Sequence, residues 1–344
     1  MKLLTIALVC AALLLACVLA CVLAAAIAWG GPQPIAAMDS INAPFAKLDY
    51  SALPAITRYT ARDGAALAYR HYASGPVATG PASAVLKQPM RPARRIVLVH
   101  GSSASSRSLH PLALALQAAG FTVDALDMRG HGDSGPRGQL AYIGQLEDDL
   151  ADFMHAVPNG AANGHAANTG PSTLVGFSAG GGFALRFAAS PQAPLFDRYE
   201  LLAPFLLQAP TNKPGGGGWA SVGLPRIVAL TLLNKLGVRA WNALPVTQFA
   251  LNEEAKKFLT ASYSFALASN FGTHLDYGSD IRRAPAAIQL IAGNADELML
   301  SERYAEVFAA AGKPIPVTLV PGAGHIGLTL NAPALAAIVA ACQD

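Results

Sequence analysis

The pentapeptide Gly176-Phe177-Ser178-Ala179-Gly180 lies between a short apolar stretch at residues 173–175 and a run of small residues at 181–189. The apolar stretch is typical of a buried strand, and the small residues are typical of a helix. A serine on a sharp turn between strand and helix presents its hydroxyl beyond the end of the sheet. Glycines two positions away leave room for such a turn, and the helix N-terminus favours negative charge nearby. The pattern therefore predicts Ser178 as a nucleophile.

Chance alone readily produces this pattern in a chain with 32 glycines among 344 residues, so the pentapeptide by itself is weak evidence. The alternative is a glycine-rich turn in which Ser178 has no chemical role. The strand before the turn and the helix after it favour the nucleophile, and the rest of the sequence has to decide between the two interpretations.

A length of 344 residues fits one large domain or two small ones, and α/β domains often reach this length as one unit. With 53% hydrophobic and only 13% charged residues, the chain can bury a sizeable core. A net charge of +3, with no stretch rich in lysine and arginine, argues against a nucleic-acid partner. Of the cysteines, only Cys342 lies beyond the N-terminal apolar segment, so we expect no disulfide within the soluble part. The sequence has no Cys-x-x-Cys or His-x-x-x-His pattern, so a structural zinc site is not expected either.

The N-terminus carries an uninterrupted apolar run at residues 3–29, in which Thr5 is the only polar member. A membrane-spanning helix needs about 20 apolar residues, whereas the apolar part of a signal peptide has about 7 to 15. The length therefore predicts a membrane anchor over residues 1–30. The alternatives are a cleaved signal peptide, with small residues at Ala36 and Ala37 as a processing site, and a lipoprotein signal ending at Cys21.

Charge around the apolar run predicts its orientation. Lys2 precedes it, and Asp39 comes before Lys47, the first cation on the other side. The positive-inside rule then places the N-terminus in the cytoplasm and the main domain on the non-cytoplasmic side, periplasmic or extracellular. Cleavage of a signal peptide would instead give a secreted protein. Residues 31–54, with several prolines, are predicted to be a linker.

Strand and helix patterns alternate through most of the remaining chain, which predicts a mostly parallel sheet with helices on both faces. An Asp-Gly turn at residues 63–64 predicts a β-hairpin in front of this sheet. The alternation stops between residues 204 and 279, and we expect a helical cap there, at about 205–280, over the strand ends. Strands are predicted at 95–99, 121–126, 199–203, 286–291 and 315–320, helices at 109–119, 142–156, 227–236 and 253–262, and loops at 74–93 and 158–171.

A serine nucleophile requires a base that takes its proton and an acid that orients the base. Asp296 follows the strand predicted at 286–291, and His325 follows the strand predicted at 315–320. The chain order Ser, Asp, His is one of the known orders of this triad, and ligands of parallel sheets bind beyond the carboxyl ends of the strands. We therefore predict Ser178 as nucleophile, His325 as base and Asp296 as acid, with Glu297 as an alternative acid.

The oxyanion formed in acyl transfer needs backbone N–H donors that are already in position. We expect these donors to be the amides of Ala179, directly after the nucleophile, and of Ser102 in the loop at 100–103. His100 is interpreted as a structural residue of that loop. The glycine-rich turn at 127–135 is interpreted as shaping the rim of the pocket. No metal or organic cofactor is expected.

Together these motifs resemble the α/β-hydrolase superfamily, and within it the branch of monoacylglycerol lipases, lysophospholipases and serine aminopeptidase-like hydrolases. The resemblance implies an α/β-hydrolase domain at 55–344 with a Ser-His-Asp triad, and it leaves the substrate open. Aminopeptidase members often have Gly-Gly-Ser-Trp-Gly where this chain has Gly-Phe-Ser-Ala-Gly, so peptidase activity is less expected. The resemblance is carried by residues 100–101, 127–134, 142–150, 176–180, 293–296 and 324–325, and it covers about residues 55–340.

The expected function is hydrolysis of carboxylic esters through an acyl-enzyme. Apolar runs in the cap, at 227–230 and 232–233, together with a membrane anchor, favour acyl lipids such as lysophospholipids or monoacylglycerols as substrates. The alternatives are a serine aminopeptidase or amidase on the same fold, and a binding module without catalytic activity. The predicted partners are a small ester or lipid substrate and the membrane.

Overall fold

The computed structural model of the chain describes residues 2–74, 94–157, 170–285 and 287–343. In chain order the strands are β1 (Ile56–Thr60), β2 (Ala66–Tyr72), β3 (Arg95–Val99), β4 (Thr122–Leu126), β5 (Ser172–Phe177), β6 (Arg198–Leu202), β7 (Ala220–Val222), β8 (Pro245–Phe249), β9 (Ser262–Ser264), β10 (Ile288–Gly293) and β11 (Val317–Val320). The helices are α1 (Lys2–Trp29), α2 (Asp39–Asn42), α3 (His110–Ala118), α4 (Gln145–Ala156), α5 (Ala179–Ala188), α6 (Leu224–Lys235), α7 (Glu253–Lys256), α8 (Phe265–Asn270), α9 (Tyr277–Arg283), α10 (Tyr304–Ala310) and α11 (Ala332–Gln343).

Eight strands form one central sheet in the order β1-β2-β4-β3-β5-β6-β10-β11. The strands from β4 to β11 in this order are parallel, whereas β1 and β2 form an antiparallel hairpin, and β2 is also antiparallel to β4. The hairpin turns at Gly64, which has a φ of 84°. The prediction of a mostly parallel sheet behind an Asp-Gly hairpin is therefore confirmed.

The middle of the sheet is apolar on both faces because helices cover it. Every residue of β3 and of β5 is buried, as expected for parallel strands between two helical layers. Helix α3 contacts α11, and α5 contacts α9 as well as β5 and β6. The carboxyl ends of β3, β5, β10 and β11 meet along one edge of the sheet, where the predicted site residues follow them.

Two predicted loops and the start of one predicted strand fall mostly outside the residues that the structure describes. Most of the loops expected at 74–93 and 158–171, and residue 286 at the start of a predicted strand, lie there. The described part of that strand begins at Ile288 and ends at Gly293.

The cap, predicted as helical at about 205–280, also contains a sheet, so this part of the prediction is wrong. Strands β7, β8 and β9 form a three-stranded antiparallel sheet beside helices α6 to α9. The helix expected at 253–262 ends at Lys256, and β9 begins at Ser262. Aromatic and β-branched side chains explain the strands, since Tyr263 on β9 pairs with Thr247 on β8.

Part of the predicted linker packs against the cap. We call residues 38–50 the N-terminal strap; it comprises α2, a short 3₁₀ helix at Ala43–Lys47 and the residues around them. Met38 N donates a hydrogen bond of 2.9 Å to Ala250 O, and Ile41 is only 5% exposed. The chain therefore returns to the domain soon after α1 ends.

Helix α1 is long enough and apolar enough to cross a membrane. A signal sequence near an N-terminus meets the same two criteria. Its C-terminal end contacts α6 of the cap. The Arg226 guanidinium donates to the carbonyls of Ile27 (2.8 Å), Ala28 (3.0 Å) and Pro245 (2.7 Å). The last carbonyls of a helix lack partners within the helix, so Arg226 supplies donors to the end of α1.

Close packing between the loops after β10 and β11 can be tested at Gly293. A Cβ atom there would lie 2.0 Å from Ala323 O, a distance that requires the backbone to shift. We expect Gly293→Ala to lower the free energy of unfolding by about 1–3 kcal/mol, measured by urea denaturation.

Gly278→Ala is the matched control for this substitution. Its Cβ would meet only the ends of the Arg282 and Asp276 side chains, at 3.3 and 3.4 Å, and alanine is the better helix former. Equal stability of the two variants would show that the loops are not closely packed at Gly293.

Candidate active site

Ser178 occupies a strained turn between β5 and α5. Its backbone has a φ of 55° and a ψ of −117°, a conformation that costs about 1–3 kcal/mol in a residue other than glycine. Ser178 N donates to Leu202 O at 2.8 Å, and Ser178 O accepts hydrogen bonds from Gly182 N and Phe205 N. The neighbouring strand and the segment after it therefore hold the turn in place.

The glycines of the pentapeptide are required by contacts with the backbone. A Cβ atom at Gly176 would lie 2.2 Å from Gly180 O, and one at Gly180 would lie 2.3 Å from His100 O. Both distances are far below a van der Waals contact, so neither position accepts a side chain without a backbone shift. The sequence argument for glycine at these two positions thus has a direct structural cause.

The structure brings Ser178, His325 and Asp296 together in one hydrogen-bonded chain. The Ser178 hydroxyl donates to His325 Nε2 at 3.0 Å, and His325 Nδ1 donates to Asp296 Oδ2 at 2.7 Å. All three residues are buried. In this arrangement His325 Nε2 is free to take the serine proton, because the proton on Nδ1 is held by the carboxylate.

The Asp296 carboxylate is held in its charged form. Burial alone would raise its pKa, but the charge and hydrogen bond of His325 and two backbone amides outweigh burial and lower the pKa. These amides belong to Leu298 and Met299, and both donate to Asp296 Oδ1 at 2.8 Å. One oxygen is thus fixed by the backbone while the other faces the imidazole.

Glu297, the alternative acid, contacts a different part of His325. Its Oε2 atom accepts a hydrogen bond of 2.7 Å from the backbone N–H of His325. The structure therefore places Asp296 against the imidazole and Glu297 against the main chain of the histidine loop.

The amides of Ala179 and Ser102 are available as donors beside the serine. Ala179 is the first residue of α5, and within the part of the chain that is described neither amide has a hydrogen-bond partner. The loop of Ser102 lies close to Ser178, since a Cβ at Gly101 would lie 3.3 Å from Ser178 Cβ. Trp219 Nε1 in turn donates to Ser102 Oγ at 2.9 Å.

The cap holds the loop that carries Ser102. Ser103 has a φ of 67°, and its N–H donates to the Tyr263 hydroxyl at 2.6 Å. The Tyr263 hydroxyl donates in turn to His131 Nε2 at 2.6 Å, and Ser103 Oγ donates to Thr260 O at 2.7 Å. Strand β9 and Thr260, two residues before it, thus fix the loop through a polar network that the sequence did not indicate.

His100 supports the same loop, as the sequence interpretation expected. Its Nδ1 donates to Gly101 O at 2.8 Å, and its Nε2 accepts from Met128 N at 3.2 Å. Burial lowers the pKa of His100, and burial together with the neighbouring His100 imidazole lowers the pKa of His131 well below its ordinary value. Both imidazoles are therefore neutral at physiological pH and carry their proton on Nδ1.

The glycine-rich turn at 127–135 is organised by the Asp127 carboxylate. Its Oδ1 accepts a hydrogen bond from Ser106 N at 2.7 Å, and its Oδ2 accepts from Asp133 N at 2.9 Å. Asp127 is buried behind the loop of Ser102 and is absent from the cavity wall. It braces the turn, as a structural role requires, but none of residues 127–135 lines the cavity, so the interpretation of this turn as the rim of the pocket is not supported.

A cavity of about 420 Å³ opens onto Ser178 and His325. A volume of this order is typical of small-molecule sites. Its wall is mostly apolar and includes residues of the cap, such as Trp219 and Phe258, and of the N-terminal strap, such as Phe45. In the described ranges, no cluster of His, Cys, Asp and Glu is arranged to hold a metal ion.

The strap is the part of the site that sequence reasoning missed. Ile41 and Phe45 are among its apolar residues that line the cavity, but they stand in a short stretch with no helix or strand periodicity. The only local signal was the presence of these large apolar side chains in a segment otherwise interpreted as a linker.

Comparison with known proteins identifies relatives of this arrangement. A family model described as Hydrolase_4, serine aminopeptidase, S33, matches residues 90–329. A monoacylglycerol lipase of Mycolicibacterium smegmatis is 38% identical over 94 residues, which is 27% of this chain. That match spans 32%, about a third, of the lipase.

Solved structures share the fold at low sequence identity. The soluble variant of monoglyceride lipase from Saccharomyces cerevisiae, in complex with a substrate analog, superimposes with a TM-score of 0.58 at 17% identity, covering 85% of this chain and 94% of that one. A membrane phospholipase A, described as a bacterial virulence factor, gives a TM-score of 0.51 at 17% identity and covers 100% of this chain and 98% of that one.

The neutral histidines behind the site predict how stability depends on pH. An unfolded histidine takes up a proton near pH 6.5, whereas His100 and His131 in the folded protein remain neutral to lower pH. Their contribution to stability is therefore complete above about pH 6.5 and is lost as the pH falls. We expect the free energy of unfolding, measured by urea denaturation, to be lower at pH 5.5 than at pH 7.5, by at most about 1.4 kcal/mol for each of these histidines.

The exposed residue His155 provides the control. His131→Gln is expected to reduce the pH dependence by about half, and His155→Gln to leave it unchanged. A free energy of unfolding that is the same at both pH values would contradict the assignment of neutral buried imidazoles.

Proposed function

The chain belongs to the serine aminopeptidase family S33 of the α/β-hydrolases, and we propose that it is a hydrolase of the lipase and esterase type that cleaves carboxylic esters of lipids at Ser178. The observation that carries this proposal is the hydrogen-bonded chain from Ser178 through His325 to Asp296 beside an apolar cavity.

The first half of the reaction acylates the serine. Ser178 Oγ attacks the ester carbonyl while His325 Nε2 takes the hydroxyl proton, and the Asp296 carboxylate stabilises the imidazolium. The negative charge on the former carbonyl oxygen is stabilised by the N–H groups of Ala179 and Ser102. When this tetrahedral species collapses, the bond to the alcohol breaks, and His325 gives its proton to the departing oxygen.

The second half releases the acid. A water molecule takes the place of the alcohol, and His325 Nε2 removes its proton as the water oxygen attacks the acyl carbonyl of Ser178. The second tetrahedral species collapses with return of the proton from His325 to Ser178 Oγ. The enzyme is thereby restored, and the steps use only the ester, one water molecule and groups of this chain.

The cavity supports an acyl lipid as the substrate class. Its wall next to Ser178 is mostly apolar and accommodates a hydrocarbon chain better than a peptide. The lipases from M. smegmatis and S. cerevisiae are named for action on monoacylglycerol, and a third relative for action on phospholipid. We therefore propose a monoacylglycerol or a lysophospholipid as the substrate.

Aminopeptidase activity, the alternative suggested by the family description, is less well supported. A peptide with a free N-terminus would need a carboxylate to bind its ammonium group. Glu254 is the sole carboxylate among the described residues that line the cavity, and it already pairs with Lys257 at 2.7 Å. No free negative charge thus faces the bound substrate from the described wall.

We further propose that α1 stays attached and anchors the enzyme in a membrane, with the catalytic domain on the non-cytoplasmic side. Arg226 is 9% exposed, and two of its three side-chain hydrogen bonds go to the end of α1. Ile27 also packs on a small apolar cluster of the cap that includes Leu230 and Val246. Removing α1 would take these two hydrogen bonds and the packing of Ile27 away from the cap.

Replacement of the proposed nucleophile tests the reaction. We expect Ser178→Ala to lower kcat for p-nitrophenyl esters by at least about 10,000-fold, because acylation of the enzyme is no longer possible. Circular dichroism should show an unchanged fold.

Ser190→Ala is the control, because Ser190 lies just beyond the C-terminal end of α5 and outside the cavity wall. It should retain the wild-type rate. Retention of more than about a hundredth of that rate by Ser178→Ala would refute the proposed role of Ser178.

The state of the N-terminus tests the proposed anchor. We expect the mature protein to stay in the membrane fraction after washing with alkaline carbonate, because an apolar helix of this length is buried in the bilayer. N-terminal sequencing and intact mass should show that residues 2–29 are present. A soluble mature protein that begins near Ala37 would instead establish a cleaved signal peptide.

A further inference from the structure

The N-terminal strap forms one side of the cavity at Ser178. Its contributions to the wall are Ile41, Asn42, Phe45, Ala46, Leu48 and Tyr50. These residues follow α1 closely in the sequence, and they face a site otherwise made by the loops of the sheet and by the cap. The segment after the proposed anchor is thus part of the binding site.

The first half of the strap is fastened to the cap by its backbone and by one buried amide. Asn42 is 8% exposed, and its Nδ2 donates to Ala250 O at 2.8 Å and to Met38 O at 2.6 Å. Met38 N donates to Ala250 O as well, and Ile41 belongs to the main hydrophobic core. These contacts give the strap a defined position on the cap.

The second half is fastened by a cation held between aromatic rings. The Arg107 guanidinium lies 3.9 Å from the ring centroid of Tyr50 and 5.0 Å from that of Phe258 on the cap. The Tyr50 ring also stacks with His110 at 6.1 Å. Because Arg107 contacts both the strap and the cap, the two elements close the cavity wall together.

Phe45 is the largest apolar side chain that the strap contributes to the wall. It lies in the 3₁₀ helix Ala43–Lys47 between the two fastened ends, is partly buried and packs against the main core. A change of its size therefore alters the space available to the substrate without removing either fastening. The neighbouring Lys47 is exposed and does not line the cavity.

From these contacts we infer that the N-terminal strap is the wall that limits the length of the acyl chain, with Phe45 as the specificity-determining residue. The inference rests on the proposed ester hydrolysis at Ser178. It assigns the N-terminal strap a role in substrate selection, in addition to its role in connecting the proposed anchor to the catalytic domain. One methylene more or less in an apolar pocket changes selectivity by about 10-fold or more, so the effect of Phe45 is measurable.

The test uses the full chain and p-nitrophenyl esters with acyl chains of increasing length, from butanoyl to hexadecanoyl. We expect Phe45→Ala to raise kcat/KM for the long esters relative to the short ones by roughly tenfold, and Phe45→Trp to lower that ratio by a similar factor. Lys47→Ala, in the same 3₁₀ helix, should keep the wild-type ratio.

Labelling by alkyl fluorophosphonates provides a second readout that does not require deacylation. The ratio of labelling rates for long and short alkyl chains should change in the same direction in each Phe45 variant. If Phe45→Ala proves unstable in thermal denaturation, Phe45→Trp decides the question through both readouts.

The outcomes separate the two proposals. Wild-type protein that neither hydrolyses an ester nor reacts with a fluorophosphonate refutes the proposed function and the role of the strap with it. The wild type is active in the other case. If both Phe45 variants and Lys47→Ala then have the same ratio of activity on long esters to activity on short esters as the wild type, only the proposed role of the strap is overturned.

Discussion

The turn at Ser178 is the constraint on which the site depends. A φ of 55° at a serine is unfavourable, and it persists because Leu202, Gly182 and Phe205 form hydrogen bonds with its backbone on both sides. The contact of Gly176 with Gly180 closes the same turn. The turn aims the hydroxyl at His325, and among the described residues the first amide of α5 has no hydrogen-bond partner. The strained backbone therefore places the proposed nucleophile and one proposed oxyanion donor on adjacent residues.

The remaining groups are held by loops that brace one another. Glu297 on the loop after β10 binds the backbone N–H of His325 on the loop after β11, so the acid and the base of the proposed triad move as a unit. On the other side of the serine, Tyr263 of the cap accepts the N–H of Ser103. Polar groups that are fixed before the substrate arrives need no reorganisation during the reaction, which is the physical basis of such catalysis. The cap thus contributes to the geometry of the loop that carries Ser102 as well as to the cavity wall.

The sequence predicted what depends on local pattern and chain order. Apolar strands alternating with helices indicated the parallel sheet, and the order of Ser178, Asp296 and His325 indicated which side chains would meet at its edge. It failed where structure depends on distant partners. Strand β9 has three residues and exists because it pairs with β8, and the strap folds back because Ala250 accepts its hydrogen bonds. Segments this short have no periodicity that could have shown either feature.

The central claim, that Ser178 forms an acyl-enzyme, is tested most directly by mass spectrometry of protein quenched in acid during turnover of a p-nitrophenyl ester. The account predicts that the proteolytic peptide containing Ser178 gains the mass of the acyl group, and that fragmentation places the group on this serine. An unmodified Ser178 during rapid turnover, or an acyl group located on another residue, would contradict it.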